Sequence, residues 1–201
     1  NYNSVANFTT SGAYPSLPRV TPLTNGNFFV IFEGTNGING QLFDSSSNKI
    51  GGDISIINSS SYNLDYPFVT GIQDGKFVVS FTEGGNVYKR QYDASGNAEE
   101  KATQVYSTSS DRQGKVRLSG LSDGTYLAVW DENNNFDPGA SLGLFGQRFK
   151  SDGSSSSSVF KINSFDTTVN SNLVPNQLWP SVTKTQNGGF AVTWLALAAE
   201  S

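Results

Sequence analysis

Residues Pro67 to Asp93 read PFVTGIQDGKFVVSFTEGGNVYKRQYD. Asp74-Gly75 sits in the middle, with alternating apolar positions on either side. An Asp-Gly or Asn-Gly pair between two β-rich segments is a strong hairpin signal, because both residues tolerate positive φ. The stretch therefore predicts two antiparallel strands joined at that pair. The same layout surrounds Asn25-Gly26, Asp123-Gly124 and Asn187-Gly188, at successive spacings of 49, 49 and 64 residues.

The repeat extends well beyond the turns. Seven positions before them stand Pro18, Pro67, Val116 and Pro180, and five before stand Val20, Val69, Leu118 and Val182. Two before are Leu23, Ile72, Leu121 and Thr185. After them come the runs Phe28 to Phe32, Phe77 to Phe81, Tyr126 to Trp130 and Phe190 to Trp194. A third strand is predicted over Ile38 to Asp44, Val87 to Asp93 and Leu144 to Lys150, with Gln41, Arg90 and Gln147 in register. A turn near Ser47, Gly96 and Gly153 leads to a fourth strand over Ile54 to Ile57, Ala102 to Tyr106 and Val159 to Ile162.

Each unit is thus a four-stranded antiparallel sheet of about 50 residues, which cannot bury its faces alone and must stack on its neighbours. The chain reads as all-β, a β-propeller-like array of such units. A β-sandwich and an open stack of sheets are the alternatives. One repeat domain covers residues 1–201, in units near 11–60, 61–110, 111–170 and 171–201. The last is incomplete. Either a strand within residues 1–10 completes it, or the chain is a slice of a longer array. Two polar insertions break the regularity, one after Asp131 and one from Ser164 to Leu178.

Composition narrows the chemistry. With no Cys, His or Met, the chain holds no disulfide, no zinc-thiolate site and no imidazole base. Its net charge of -4 and scattered basic residues argue against a nucleic-acid partner. No apolar run is long enough to span a bilayer as a helix.

The repeat resembles tandem repeats of about 50 residues found in large secreted or surface proteins of bacteria and protists. The pattern P-x-V-x-x-L-x-D-G-G-F-V-V-x-W is carried by Pro180, Val182, Asn187, Gly188, Gly189, Phe190, Val192 and Trp194. The following G-x-x-x-Q-x-F-D-x-x-G is carried in the third unit by Gly143, Gln147, Phe149 and Gly153. The second unit departs with Arg90 and Phe81, and the first with Phe32 and Ser47. The resemblance implies a structural or adhesive part of the cell exterior.

Asp131, Asn133, Asn135 and Asp137 place side-chain oxygens at every second position of a loop, a spacing that can wrap calcium, although the loop lacks the Gly and Glu of an EF-hand. A solvated turn is the plainer reading, so the expected cofactor is none or calcium. Trp179, with Asn176 and Gln177 beside it, is the best candidate for a sugar site, since it follows the long polar insertion. Trp130 and Trp194 share the position of Phe32 and Phe81 and read as packing residues. Glu33, Asp65, Glu83, Asp131 and Glu132 could pair as glycosidase carboxylates but read more simply as solvated strand ends. Asn7 and Asn58 fit the glycosylation pattern.

These readings lead to one expectation. The chain is a non-enzymatic structural or adhesive module, extracellular or at the cell surface, that assembles with protein partners or like subunits through exposed sheet edges. A lectin-like module, with or without calcium, is the alternative. Neither nucleic acid nor membrane insertion is expected.

Overall fold

The structure is a computed structural model that describes residues 16–34, 37–58, 64–84, 86–107, 115–132, 143–163 and 176–197. In the first sheet β1 (Ser16–Pro22), β2 (Phe28–Gly34), β3 (Gly37–Phe43) and β4 (Lys49–Asn58) pair in chain order. The second repeats this with β5 (Leu64–Gly71), β6 (Phe77–Glu83), β7 (Asn86–Tyr92) and β8 (Thr103–Ser107). The third comprises β9 (Arg117–Gly120), β10 (Tyr126–Glu132), β11 (Gly143–Phe149) and β12 (Phe160–Lys161). In the fourth, β13 (Asn176–Lys184) pairs with β14 (Phe190–Leu197). Every pairing is antiparallel, as hairpin connections require.

The hairpin turns differ in detail from the sequence expectation. Only the second uses positive φ at both central residues, with Asp74 at 59° and Gly75 at 72°. In the others Gly26, Gly124 and Gly188 alone take it, at 86°, 82° and 83°. Asn25 and Asp123 act instead through their side chains, each Oδ1 accepting the N–H two residues on, at 3.1 Å. This is the Asx-turn geometry. At the turns between third and fourth strands, Asp44 and Asp93 each accept from two backbone N–H groups and from the Asn four residues on.

The insertion expected to run to Leu178 ends earlier. Asn176 pairs with Leu197 and Gln177 with Ala196, so these two residues belong to a strand and not to a loop. Their partner segment after Trp194 extends β14, because its backbone groups find their ladder there. Residues 1–10, Asn133, Asn135 and Asp137 lie outside the described residues.

The core lies between sheets. Phe29, Ile31 and Leu42 of the first meet Val69, Phe77, Val79 and Phe81 of the second. Val78 and Val87 of the second meet Leu118, Tyr126, Ala128 and Trp130 of the third. Leu127 and Val129 pack towards Val182 and Val192 of the fourth. Alternate residues of β6 and β10 therefore face opposite neighbours, as the two-residue strand period dictates. A strand covered on both faces needs an uninterrupted apolar run, which explains Phe77 to Phe81 and Tyr126 to Trp130. Each large side chain so buried contributes about 1.5–3 kcal/mol.

The first strands of the units, β1, β5, β9 and β13, touch one another in sequence. The Gly71 N–H donates to Thr21 Oγ1 and the Gly120 N–H to Thr70 Oγ1, both at 3.1 Å. A Cβ at Gly71 would overlap the Pro22 carbonyl oxygen, and one at Gly120 would overlap that of Gly71. Glycine is what lets these inner strands approach so closely.

Candidate functional site at the mouth of the inner strands

The inner strands surround a cavity of about 300 Å³, with Thr21, Thr70, Ser119 and Thr183 on its wall. These four residues stand at the same register in the four units, four positions before the turns. Following the strands back towards their starts brings two further tiers. Six positions before the turns stand Arg19, Phe68, Arg117 and Ser181, and eight before stand Leu17, Tyr66, Lys115 and Trp179.

The outer tier is held in a costly backbone conformation. Leu17, Tyr66 and Trp179 have φ of 47°, 56° and 58°, in the left-handed region that non-glycine residues rarely enter. Each lies at a register shift of its strand, between Ser16 and Arg19, Asp65 and Phe68, and Leu178 and Ser181. Such bulges re-aim a side chain, and each left-handed residue costs about 1–3 kcal/mol that the surrounding packing must offset. Trp179 is 54% exposed.

Lys115 joins the tier together. Its Nζ sits 4.3 Å from the ring centre of Tyr66 and 4.5 Å from that of Trp179, an ammonium between two aromatic faces. One tier inward, the Arg117 guanidinium lies 5.2 Å from the Phe68 ring. Burial lowers the pKa of Arg117, and the charge of Arg19 lowers it further, while Asp131 and Tyr66 oppose the shift.

Asp131 completes the arrangement from β10. Its carboxyl is buried, with Oδ1 accepting from the Lys115 N–H and Oδ2 from the Trp179 N–H at 3.1 Å. It thereby ties the start of the third unit to that of the fourth. Burial pushes its pKa above the ordinary carboxylate value, against those backbone donors and the Lys115 charge. Glu33 holds the corresponding place in β2, seven residues after the turn glycine, and is half-buried.

The structure thus brings together Trp179 and Asp131, which the sequence placed in separate proposals. Asp131 turns its oxygens to backbone donors, and among the described residues no three acidic side chains converge on a metal-sized site. Trp130 is fully buried, as expected of a packing residue, whereas its counterpart Trp194 is 39% exposed. Asn58 ends β4 and is exposed; Asn7 is outside the described residues. Sequence reasoning missed Arg19, Lys115 and Arg117. The signal was present in the repeat register, but the positions flanking the prolines vary in type from unit to unit.

Among solved structures the chain is similar to a protein of unknown function from Dyadobacter fermentans, with a TM-score of 0.65 at 10% identity over 96% of this chain and 65% of that one. It is similar to the GH93 α-L-arabinofuranosidase of Fusarium graminearum in complex with arabinobiose, with a TM-score of 0.57 at 12% identity, over 88% and 57%. It is also similar to the endo-arabinase of Bacteroides thetaiotaomicron, with a TM-score of 0.52 at 12% identity, over 96% and 78%. The fold is that of a β-propeller. The chain spans less than two thirds of the first two proteins. No family model and no curated protein matches the sequence.

These neighbours correct the expectation of a non-enzymatic structural or adhesive module with a lectin-like alternative. Glycoside hydrolases are built on the same blades, so repetition of a packing unit is no argument against catalysis. The absence of His is no argument either, because glycoside hydrolysis runs on two carboxyl groups.

Proposed function

We propose that this chain is a carbohydrate-active β-propeller module that cleaves glycosidic bonds at the mouth of its inner strands. The observation that supports this most is Asp131, a buried carboxyl of raised proton affinity beside exposed Trp179. A general acid in glycoside hydrolysis needs raised proton affinity, and burial moves Asp131 in that direction. Trp179, 54% exposed, offers apolar ring surface against which a sugar can pack. In this reading Asp131 donates the proton and Glu33, its counterpart in the first sheet, supplies the second carboxylate. The arabinan-directed neighbours make arabinan the first substrate to test.

The test is release of reducing ends from arabinan and a panel of other polysaccharides. Turnover by the native chain is expected. Asp131→Asn and Glu33→Gln should each lower it roughly 100-fold or more, the usual worth of a positioned acid or base. No turnover on any substrate, or native rates in both variants, would remove the enzymatic reading.

A further inference from the structure

We infer that the mouth of the inner strands is a subsite for an acidic sugar, one that carries a carboxylate such as a uronic acid. This rests on the glycan-cleaving reading above and names its substrate class. Three cationic residues, Arg19, Lys115 and Arg117, occupy the two tiers that precede the cavity, in a chain whose net charge is -4. No carboxylate oxygen among the described side chains lies within the 4.0 Å of an ion pair from any of the three, whereas Lys76, Lys89 and Arg148 each have one.

The guanidinium groups are held ready for a ligand. Arg19 Nη1 donates to the Pro18 carbonyl at 3.0 Å, and Arg117 Nη1 to the Val116 carbonyl at 2.9 Å. Each is therefore pinned through one nitrogen to its own strand, in the same way in two units. Among the described side chains and backbone their other N–H groups have no acceptor, and a carboxylate takes two such donors side by side. The electrostatics point the same way. Arg117 is half-buried and near Arg19, so its charge is disfavoured by both burial and repulsion. Asp131 offsets this only in part, since its oxygens already face the Lys115 and Trp179 N–H groups. An incoming anion relieves that conflict.

The aromatic residues make the ligand a sugar and not a bare anion. Cation and ring alternate along both tiers, Tyr66–Lys115–Trp179 in one and Arg19–Phe68–Arg117 in the other. A ring stacked on Trp179 brings its substituents towards cations on the neighbouring strand. A neutral pentose can use the aromatic faces but leaves the guanidinium groups unanswered.

The experiment compares calorimetric binding of trigalacturonic acid with that of its methyl ester, at low salt, on the whole chain. The acid should bind roughly tenfold more tightly, the worth of one charge-assisted hydrogen-bond pair. Arg117→Gln should bring the acid down to the level of the ester, and Trp179→Ala should weaken both alike. Arg19→Gln repeats the test at a less buried residue, so a misfolded Arg117 variant does not decide the matter. Equal affinity for acid and ester, binding of neither, or equally tight binding of tripolyphosphate would overturn the uronate assignment. The two readings fail separately: a preserved acid preference without turnover removes the hydrolase, and turnover without acid preference removes the uronate.

Discussion

Asp131 shows how one buried side chain serves two units of the molecule. Its oxygens hold the N–H groups of Lys115 and Trp179, so the aromatic–cation tier depends on a residue of a different strand. Its protonation also bears on stability. The folded form holds the proton more tightly than the unfolded form, whose ordinary value is 3.8. The Asp131 contribution is therefore complete below that value and is lost as pH rises through the raised one. Asp93 and Asp123 behave in the opposite sense. Hydrogen bonds to Asn97 and to backbone N–H groups outweigh burial at Asp93, and the Thr125 hydroxyl leads at Asp123, so both carboxylates titrate below 3.8. Their contribution is present above 3.8 and lost as pH falls through the depressed values. Asp131→Asn removes one of these slopes and leaves the other. Urea unfolding from pH 3 to pH 8 should show a flatter decline on the alkaline side of about pH 4, with the acid limb unchanged. The amide has one acceptor fewer, so absolute stability falls throughout, and the slope is the quantity to read. A slope identical to that of the native chain would contradict the burial argument.

The element that recurs is the inner strand, and its repeated positions have different fates. Val69 and Leu118, five positions before their turns, are 4% and 2% exposed because each faces the preceding sheet. Val20 holds that position in the first unit and is 65% exposed. The register alone makes the three equivalent, and no composition rule separates them. Leu118→Ala should cost about 2–5 kcal/mol in urea denaturation, whereas Val20→Ala should change stability by about 0.5 kcal/mol or less. Comparable losses at the two positions would mean that Val20 is covered in solution. The same strand explains why the site was only half legible. Trp179 stands out in the sequence as an aromatic residue that follows the long polar insertion. Lys115 precedes Val116 and not proline, so although the repeat register gives its place in the tier, its contact with Tyr66 and Trp179 shows only when strands from three sheets lie side by side. The bulges that aim this tier were not readable either, since a left-handed Tyr or Trp breaks the local preference that sequence reading relies on.

At the scale of the whole molecule, stability resides between sheets, and the sheets do not share it equally. The second and third are packed on both faces, while Phe190 and Trp194 of the fourth are 41% and 39% exposed. Native-state amide exchange should therefore be slowest in β6 and β10 and fastest, among the β-ladders, in β14. Equal protection of β14 would show that the fourth sheet is as well covered as the others. The number of hairpins, the positions of their turns, the presence of third and fourth strands and the need to stack were all determined by the sequence, because strand period and turn chemistry are local properties. The length of β13, the closeness of its neighbours at Gly71 and Gly120, and the meeting of Arg19, Lys115, Arg117, Asp131 and Trp179 were decided by tertiary structure alone. Arg19 comes from the first unit, Lys115, Arg117 and Asp131 from the third and Trp179 from the fourth, and only the packing of one inner strand against the next brings these units' residues into physical proximity.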